Sequence, residues 1–268
     1  MKKPKIIAHR GASALAPENT LAAFRRAIAD GAEGIEFDVR LTKDDVPVVI
    51  HDADLKRVGA RNGSVGEYTS AELAKIDVGS WFNRQKPEKA NERFAAETVS
   101  TLPQVLEFLR NYKGLIYIEL KCLDDNIEDI SKIVCETIAD SALFPQIIVK
   151  SFQLEALLHI RRFCPEAQTA ALFEPKLTDF LRRKTNYAVI AREFDADQLS
   201  IHFSLATKKL MNEAEKLQMP VTIWTADNPL WVKRANNLGI AAIITNNPAR
   251  LLAKKAKLLN NWEKFDRA

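Results

Sequence analysis

Short apolar segments alternate with amphipathic segments along most of this 268-residue chain. The strand-like runs occupy residues 5–9, 34–39, 115–120, 146–152, 168–173, 198–203, 220–225 and 240–245. Helical patterns follow or separate most of them; Leu21, Phe24 and Ile28, for example, have the i, i+3, i+7 spacing of one helix face. Gly31 follows where such a helix would end. Eight β/α units in roughly 250 residues predict an α/β protein with a closed (β/α)8 barrel, also called a TIM barrel.

A ninth apolar run, at 46–51, does not fit this alternation. Only residues 42–45 separate it from the second strand, so the two can form a hairpin but not a parallel crossover. If the turn is centred near Lys43 and Asp44, the numbers of the two residues in each pair sum to 87, and His51 lies opposite Glu36. Shifting the turn by one residue places His51 opposite Asp38 instead. Both registers predict that His51 lies level with these carboxylates.

Residues 53–100 also fit no β/α unit, since they are rich in Gly, Asn, Lys and Glu and carry isolated aromatic residues. We interpret this segment as an insertion after the strand-two hairpin that caps the barrel mouth. The whole chain, residues 1–268, is then expected to form a single catalytic domain. An open doubly wound sheet is the alternative fold, but the chain has no Gly-rich phosphate loop of either usual type.

Three carboxylates are predicted to meet at one end of the barrel. Glu36 and Asp38 are two residues apart on a strand, so their side chains point to the same face. Because the carboxyl ends of barrel strands meet at one face, Glu119 from the next parallel strand is expected to join them. Carboxylates alone are more often solvated, but a solvated pair is not expected inside a barrel strand. Hard oxygen ligands of this kind predict a site for Mg²⁺ or Ca²⁺.

Several motifs accompany these carboxylates along the chain. In order, they are Lys-Ile-Ile-Ala-His-Arg-Gly-Ala at 5–12, Pro-Glu-Asn-Thr at 17–20, Glu-Phe-Asp-Val at 36–39, Val-Val-Ile-His-Asp at 48–52, Asp-Val-Gly-Ser-Trp-Phe at 77–82, Ile-Glu-Leu-Lys at 118–121, Lys-Ser-Phe at 150–152 and Trp-Thr at 224–225. By their order and spacing, the chain closely resembles the glycerophosphodiester phosphodiesterase family. It departs from the family pattern at Asp45, at Ser100 and within residues 56–64, none of which is a candidate catalytic position.

The resemblance implies a metal-dependent hydrolase of lipid and glycerol metabolism that cleaves glycerophosphodiesters to sn-glycerol 3-phosphate and an alcohol. It also implies that Trp224 lines the pocket against the glycerol carbons. Lys121 shares a strand face with Glu119, and this pair alone would be read as an ordinary ion pair. Within the motif, Lys121 is instead expected to bind the substrate phosphate together with Arg10.

Two of the four histidines, His9 and His51, close predicted strands. Phosphodiester cleavage needs one group to deprotonate the nucleophile and another to protonate the leaving alkoxide, and histidine, with an ordinary pKa of ~6.5, suits both roles. We therefore predict that this pair is the general acid and base, with the two roles not assigned. Arg10 would point away from His9 on a regular strand and reaches the site only if the chain turns, which Gly11 permits. His202 ends the sixth strand, and we leave it outside the predicted site.

Three rival functions differ in features that the sequence shows. A lysophospholipase D-type enzyme for lipid-tailed substrates would favour an exposed apolar collar at the mouth, for which the polar insertion gives little support. A non-catalytic phosphate-binding barrel would be expected to lack one of the histidines or carboxylates. An enolisation enzyme of the Mg²⁺ barrel type has no need for an arginine-flanked histidine pair.

Composition adds limits on class and location. A content of 47% hydrophobic and 28% charged residues predicts a soluble globular protein, and the net charge of +4 suits an anionic substrate without indicating nucleic acid. The three cysteines have no metal-ligand spacing, which is typical of a reducing compartment. No apolar run approaches the ~20 residues of a membrane span, and no room remains for a signal peptide. We expect a cytoplasmic protein, without membrane insertion, whose oligomeric state is open, a homo-oligomer being one option.

Overall fold

The computed structural model describes residues 3–123, 125–175 and 186–265; the ends of the predicted domain, 1–2 and 266–268, lie outside them. Within this part of the chain, nine strands form one sheet: β1 (Lys5–His9), β2 (Gly34–Leu41), β3 (Pro47–Val49), β4 (Leu115–Leu120), β5 (Ile147–Ser151), β6 (Gln168–Phe173), β7 (Gln198–His202), β8 (Val221–Trp224) and β9 (Ala242–Thr245). Their order is β1-β9-β8-β7-β6-β5-β4-β2-β3, and β1 also pairs with β2. The eight parallel strands therefore close into the predicted barrel, and β3 lies outside it.

The helices of the described chain follow the strands or lie within the insertion. They are α1 (Leu21–Ala29), α2 (Lys56–Gly59), α3 (Ser70–Leu73), α4 (Ser80–Gln85), α5 (Leu102–Leu109), α6 (Ile127–Ala139), α7 (Glu155–Phe163), α8 (Tyr187–Glu193), α9 (Lys208–Lys216), α10 (Leu230–Leu238) and α11 (Pro248–Phe265). Gly31, at φ +79°, lies just past α1 as predicted. None of these helices has the length and apolar character needed to cross a membrane.

The barrel interior is filled by side chains that several different strands contribute. Ile7, Tyr117 and Ile148 belong to one buried cluster although they come from β1, β4 and β5. Because side chains alternate along a strand, the residues two positions further along point to the same interior. These residues, His9, Glu119 and Lys150, form the next layer towards the carboxyl ends of the strands. The apolar layer thus supports the layer that carries the charges.

The register of the β2–β3 hairpin differs from both predicted registers. Arg40 pairs with Val48 and Leu41 with Pro47, so the numbers of paired residues sum to 88. The reason is the turn, because Leu41 and Pro47 enclose an odd number of residues, and the backbone N–H of Thr42 donates to the carbonyl of Val46 within it. The turn therefore has five residues, and the prediction that His51 pairs opposite a carboxylate is wrong.

The insertion has short helices and a hydrophobic cluster of its own. This cluster contains Leu55, Val58, Val65, Leu73, Ile76, Val78, Trp81, Phe82 and Val99. Two hairpin residues, Val48 and Ile50, complete it. The insertion is therefore anchored on the hairpin through shared apolar packing.

Candidate active site

Three buried carboxylates lie together at the carboxyl ends of β2 and β4. Glu36 and Asp38 point into the barrel, and the parallel pairing of the two strands places Glu119 beside Asp38. Each residue offers one oxygen, and these three oxygens all lie within 4.8 Å of one another. The donor set is hard oxygen without thiolate or imidazole, which fits a divalent cation of the Mg²⁺ or Ca²⁺ type. The structure thus brings together the three residues that the sequence predicts as metal ligands.

Lys150, at the end of β5, is a buried cation that the sequence analysis did not include in the site. Its Nζ lies 2.7 Å from Glu36 Oε1 and 3.4 Å from Glu119 Oε2. Burial alone would raise the pKa of Glu36, but the charges of Lys150 and His9 outweigh it and lower this pKa. A lysine within the apolar run of β5 is a signal of function, because lysines are seldom buried without a partner. Its partners depend on the pairing of Glu119 with Lys150, which the sequence does not reveal.

Lys121 and Arg10 place two further cations against the carboxylates. Lys121 Nζ lies 3.2 Å from Asp38 Oδ1 and also contacts Glu119, whereas Arg10 Nε lies 3.1 Å from Asp38 Oδ2. Burial alone would raise the pKa of Asp38, but these cations, with Lys121 contributing most, hold it well below its usual range. Both residues predicted to bind phosphate thus lie beside the predicted metal ligands.

Arg10 reaches the site because the chain turns directly after β1. Arg10 has φ +52° and Gly11 φ +78°, and a Cβ on Gly11 would lie 2.7 Å from the backbone of Ala23. Glycine avoids both this clash and the strain of the left-handed conformation. The turn also aims the backbone N–H of Arg10 at Glu36 Oε2, at 3.1 Å. The structure thus contains the turn that the position of Arg10 requires.

His9 lies at the end of β1 with its ring held by a neighbouring amide. Its Nδ1 is 2.7 Å from Asn246 Oδ1, and Nε2 is 3.9 Å from Glu36 Oε2. The side-chain NH₂ of Asn246 donates to Asp227 at 2.8 Å, so its oxygen must accept from the histidine. The proton is therefore on Nδ1, and Nε2 remains available on the side of the carboxylates.

His51 lies two residues past β3, where the chain leaves the hairpin. Its Nδ1 lies 2.7 Å from Asp52 Oδ1, and its backbone carbonyl accepts a hydrogen bond from Arg40 Nε at 2.8 Å. Its ring is also close enough to Asp38 to help lower the pKa of that carboxyl. His51 therefore stands near the carboxylates even though its predicted pairing is wrong.

An aromatic group forms the wall beside these charges. Trp224, at the end of β8, packs edge-to-face against Phe152, with ring centroids 5.4 Å apart. The rings of His202, on the adjacent strand β7, and Trp224 have centroids 5.5 Å apart. His202, which was not predicted to belong to the site, therefore packs against a predicted site residue. Trp224 Nε1 is buried and has no hydrogen-bond partner among the described residues. The indole thus offers an apolar surface and one unused donor.

Asn19 and Thr20 directly precede α1, but only one of them caps the helix. The hydroxyl of Thr20 accepts from the backbone N–H of Ala23 and caps α1. The side chain of Asn19 instead donates to Asp38 Oδ2 at 2.9 Å, while its oxygen accepts from the backbone N–H of Asp38. Asn19 therefore orients a candidate metal ligand, and the left-handed conformation of its backbone (φ +57°) gives it this direction.

Known protein families and relatives were compared with this chain. The model of the glycerophosphoryl diester phosphodiesterase family matches residues 9–250. The chain is 31% identical over 250 residues to the glycerophosphodiester phosphodiesterase of Caldanaerobacter subterraneus subsp. tengcongensis, with 93% of this chain and 97% of that relative covered.

Solved structures of phosphodiesterases are similar to this chain over nearly its whole length. An Oleispira antarctica phosphodiesterase in complex with the product sn-glycerol-3-phosphate is 26% identical, with a TM-score of 0.80 over 94% of this chain and 96% of that one. The glycerophosphodiester phosphodiesterase of Agrobacterium tumefaciens is also 26% identical, with a TM-score of 0.75 over 93% and 99% of the two chains. The similarity therefore extends over the barrel and the insertion together.

Proposed function

Because this chain belongs to the glycerophosphoryl diester phosphodiesterase family, we propose that it hydrolyses glycerophosphodiesters to sn-glycerol 3-phosphate and an alcohol. The observation that carries this proposal is the buried cluster of Glu36, Asp38 and Glu119, flanked by two histidines and an arginine at the barrel mouth. The product bound in the Oleispira antarctica relative supports the choice of substrate.

The three carboxylates would hold the divalent cation, for which we propose Mg²⁺ or Ca²⁺. When bound, the cation supplies positive charge at the phosphate oxygens, which stabilises the transition state. Asn19 holds Asp38, and Lys150 holds Glu36, so two of the three ligands have their orientation fixed by other side chains. The cluster is thereby preorganised for a cation.

Arg10 and Lys121 would bind the phosphate. Their charged groups already lie within 3.2 Å of Asp38, at the edge of the proposed cation site. A phosphodiester placed there would have its anionic oxygens neutralised by both residues, which favours the increase in charge as the bond breaks. The guanidinium group adds a planar set of donors suited to phosphate.

His9 and His51 would serve as the general acid and base. Each ring has its Nδ1 engaged, by Asn246 and by Asp52, so each keeps Nε2 for proton transfer. One histidine takes a proton from the nucleophile and the other gives one to the leaving alkoxide. The proposal covers direct attack by water and attack by the glycerol 2-hydroxyl through a cyclic phosphate, since both need this pair.

Trp224 would pack against the glycerol carbons, and residues 53–100 would cap the mouth of a single catalytic domain. The decisive experiment is product analysis on a panel of glycerophosphodiesters, with and without a chelator. We expect sn-glycerol 3-phosphate from every member of the panel and none in the presence of the chelator. Release of the other phosphomonoester, or no turnover at all, would overturn the proposed function.

A lysophospholipase D-type activity on lipid-tailed substrates is the second candidate. It is favoured by Phe152, which directly follows β5, and Leu123, which lies three residues past β4; the two are 40% and 52% exposed on the side of the site. These apolar side chains could contact a hydrocarbon tail. Adding lysophosphatidylcholine to the panel tests this candidate, because release of choline with lysophosphatidate would support it.

We further propose that the protein works in the cytoplasm. Cys122, Cys135 and Cys164 are all free thiols, and Cys135 and Cys164 are buried. Burial raises the pKa of Cys122 to about 11, so this thiol is protonated and poorly reactive near neutrality. Subcellular fractionation tests the location.

A further inference from the structure

Arg57 lies on α2 of the insertion and contacts two carboxylates beside the proposed active site. Its Nε lies 2.6 Å from Asp52 Oδ2. Its Nη1 and Nη2 lie 3.0 and 2.7 Å from the two carboxylate oxygens of Glu18. One guanidinium group therefore makes a two-bond pair with Glu18 and a third bond to Asp52, which only the planar fork of arginine allows.

Each of these carboxylates has a second partner in the proposed site. The other oxygen of Asp52 accepts from His51 Nδ1 at 2.7 Å. Glu18 Oε1 also accepts from Arg10 Nη1 at 2.8 Å. Arg57 is thus the central member of a continuous chain of charged contacts from a proposed acid–base residue to a proposed phosphate-binding residue. Those two residues come from loops after different strands, β3 and β1.

The position of Arg57 is itself fixed by the insertion. Leu55, just before α2, and Val58, within it, are 0% and 6% exposed and belong to the hydrophobic cluster of the insertion. Its guanidinium carbon lies over the Trp81 ring, 5.1 Å from the ring centre, a cation–π contact that restricts the side chain further. The folded insertion therefore presents this group to the two carboxylates in one orientation.

We propose that Arg57 is a positioning residue for the reaction, a role that rests on the function proposed above. Through Asp52 it fixes the ring of His51, so that Nε2 faces the substrate; through Glu18 it fixes the guanidinium group of Arg10. The first contact serves proton transfer and the second serves binding of the phosphate. The insertion thus contributes to catalysis through a single side chain as well as by covering the mouth.

The first test compares Arg57→Met, Arg57→Lys and the matched control Arg61→Met. Arg61 lies in the same insertion, is exposed, and its side chain makes no hydrogen bond or ion pair with a described residue. Arg57→Met should lower kcat/KM by about 10–100-fold, the range for outer partners of an active site, with both a lower kcat and a higher KM. Arg57→Lys keeps the charge but not the fork, so it should recover only part of the loss. Arg61→Met should match the wild-type enzyme.

The second test separates the two contacts. Asp52→Asn alone should lower mainly kcat, and Glu18→Gln alone should raise mainly KM. Adding Arg57→Met should then change mainly KM in the Asp52→Asn background and mainly kcat in the Glu18→Gln background. Circular dichroism and thermal unfolding of every variant would verify that the fold is kept.

Three outcomes would overturn the inference. Arg57→Met could behave like Arg61→Met, or its effect could be the same in all three backgrounds, or Arg57→Lys could be fully active. The last two would assign to Arg57 a structural or purely electrostatic role. If the wild-type chain hydrolyses no glycerophosphodiester, the proposed function fails first; an active wild-type enzyme with an unaffected Arg57→Met variant removes this inference alone.

Discussion

The two halves of the barrel bury different kinds of polar side chain. On β2, β4 and β5, the buried polar residues include Glu36, Asp38, Glu119 and Lys150. On β6, β7, β8 and β9 they are the hydroxyl residues Thr169, Ser200, Thr222 and Thr245. Strands β2, β4 and β5 thus make up a charged half of the barrel, and β6 to β9 make up a neutral half. The same strand framework therefore carries full charges on one side and small dipoles on the other.

This difference indicates that the two halves are suited to different kinds of ligand. Taking an ion out of water costs several kcal/mol, so the charged half is tolerable only because each carboxylate has a cation beside it. Such a region is suited to ionic ligands, and we propose a divalent cation and a phosphate for it. The neutral half, which ends in Trp224, has no comparable requirement, and we propose that it contacts the glycerol.

The largest expected effect comes from removing the cation that the charged half would bind. Chelation with EDTA should abolish turnover, and Mg²⁺ or Ca²⁺ should restore it, because the positive charge that the metal would supply at the phosphate oxygens in the transition state is then missing. Activity after EDTA, and again after each metal is added back, measures this. Undiminished activity in metal-free enzyme would remove the metal role of Glu36, Asp38 and Glu119.

A matched pair of variants tests the energetic difference between the halves. Lys150→Met removes one partner of a buried ion pair and leaves Glu36 without its closest cation, so it should destabilise the fold by about 3–5 kcal/mol. Ser200→Ala in the neutral half should cost less than about 1 kcal/mol, since the hydroxyl of Ser200 has no hydrogen-bond partner among the described residues. Urea unfolding gives both values. Equal losses would show that the halves do not differ as described.

Replacing either histidine should lower the rate of the reaction without destabilising the fold. His9→Ala and His51→Ala should each lower kcat by at least about 100-fold, the lower range for losing a general acid or base. Their melting temperatures should change little, because both rings are partly exposed at the barrel mouth. Steady-state kinetics and thermal unfolding measure the two effects. An unfolded His51→Ala variant beside a nearly fully active His9→Ala variant would contradict the paired mechanism.

The smallest effect is expected across alcohol groups. If binding energy is placed on glycerol and phosphate, kcat/KM should vary by less than about tenfold among choline, ethanolamine and glycerol diesters. It should fall much further for bis(p-nitrophenyl) phosphate, which has no glycerol, and Trp224→Ala should narrow that gap. Competing-substrate assays measure these ratios. Better turnover of the glycerol-free diester would show that the neutral half does not recognise glycerol.

The barrel could be predicted because parallel strands are buried on both faces and therefore appear as continuous apolar runs. The same physics made the carboxylates visible, since Glu36 and Asp38 interrupt such a run with charge. Strand order then placed Glu119 beside them. The predicted roles of these residues remain predictions until they are tested.

The features that could not be predicted are the hairpin register, the contact of Asn19 with Asp38 and the place of Lys150 in the site. Each depends on turn, loop or strand-pairing geometry that the local sequence pattern does not define. The hairpin register differs from the predicted ones because an odd number of residues lies between the paired Leu41 and Pro47, a number that the sequence pattern does not define. The contact of Asn19 with Asp38 depends on one left-handed residue in a loop. Lys150 joins the site through the register of β5 on β4, which places it beside Glu119 and which no local pattern gives.

Before any ligand binds, the charged half is close to electrically neutral, because its three carboxylates face three cations: Lys150, Lys121 and Arg10. A divalent cation bound alone would add two positive charges to this balance. A phosphodiester bound alone would add a negative charge next to the carboxylates. Each ligand offsets the charge that the other introduces, so their affinities are thermodynamically linked, and each must strengthen the binding of the other by the same factor.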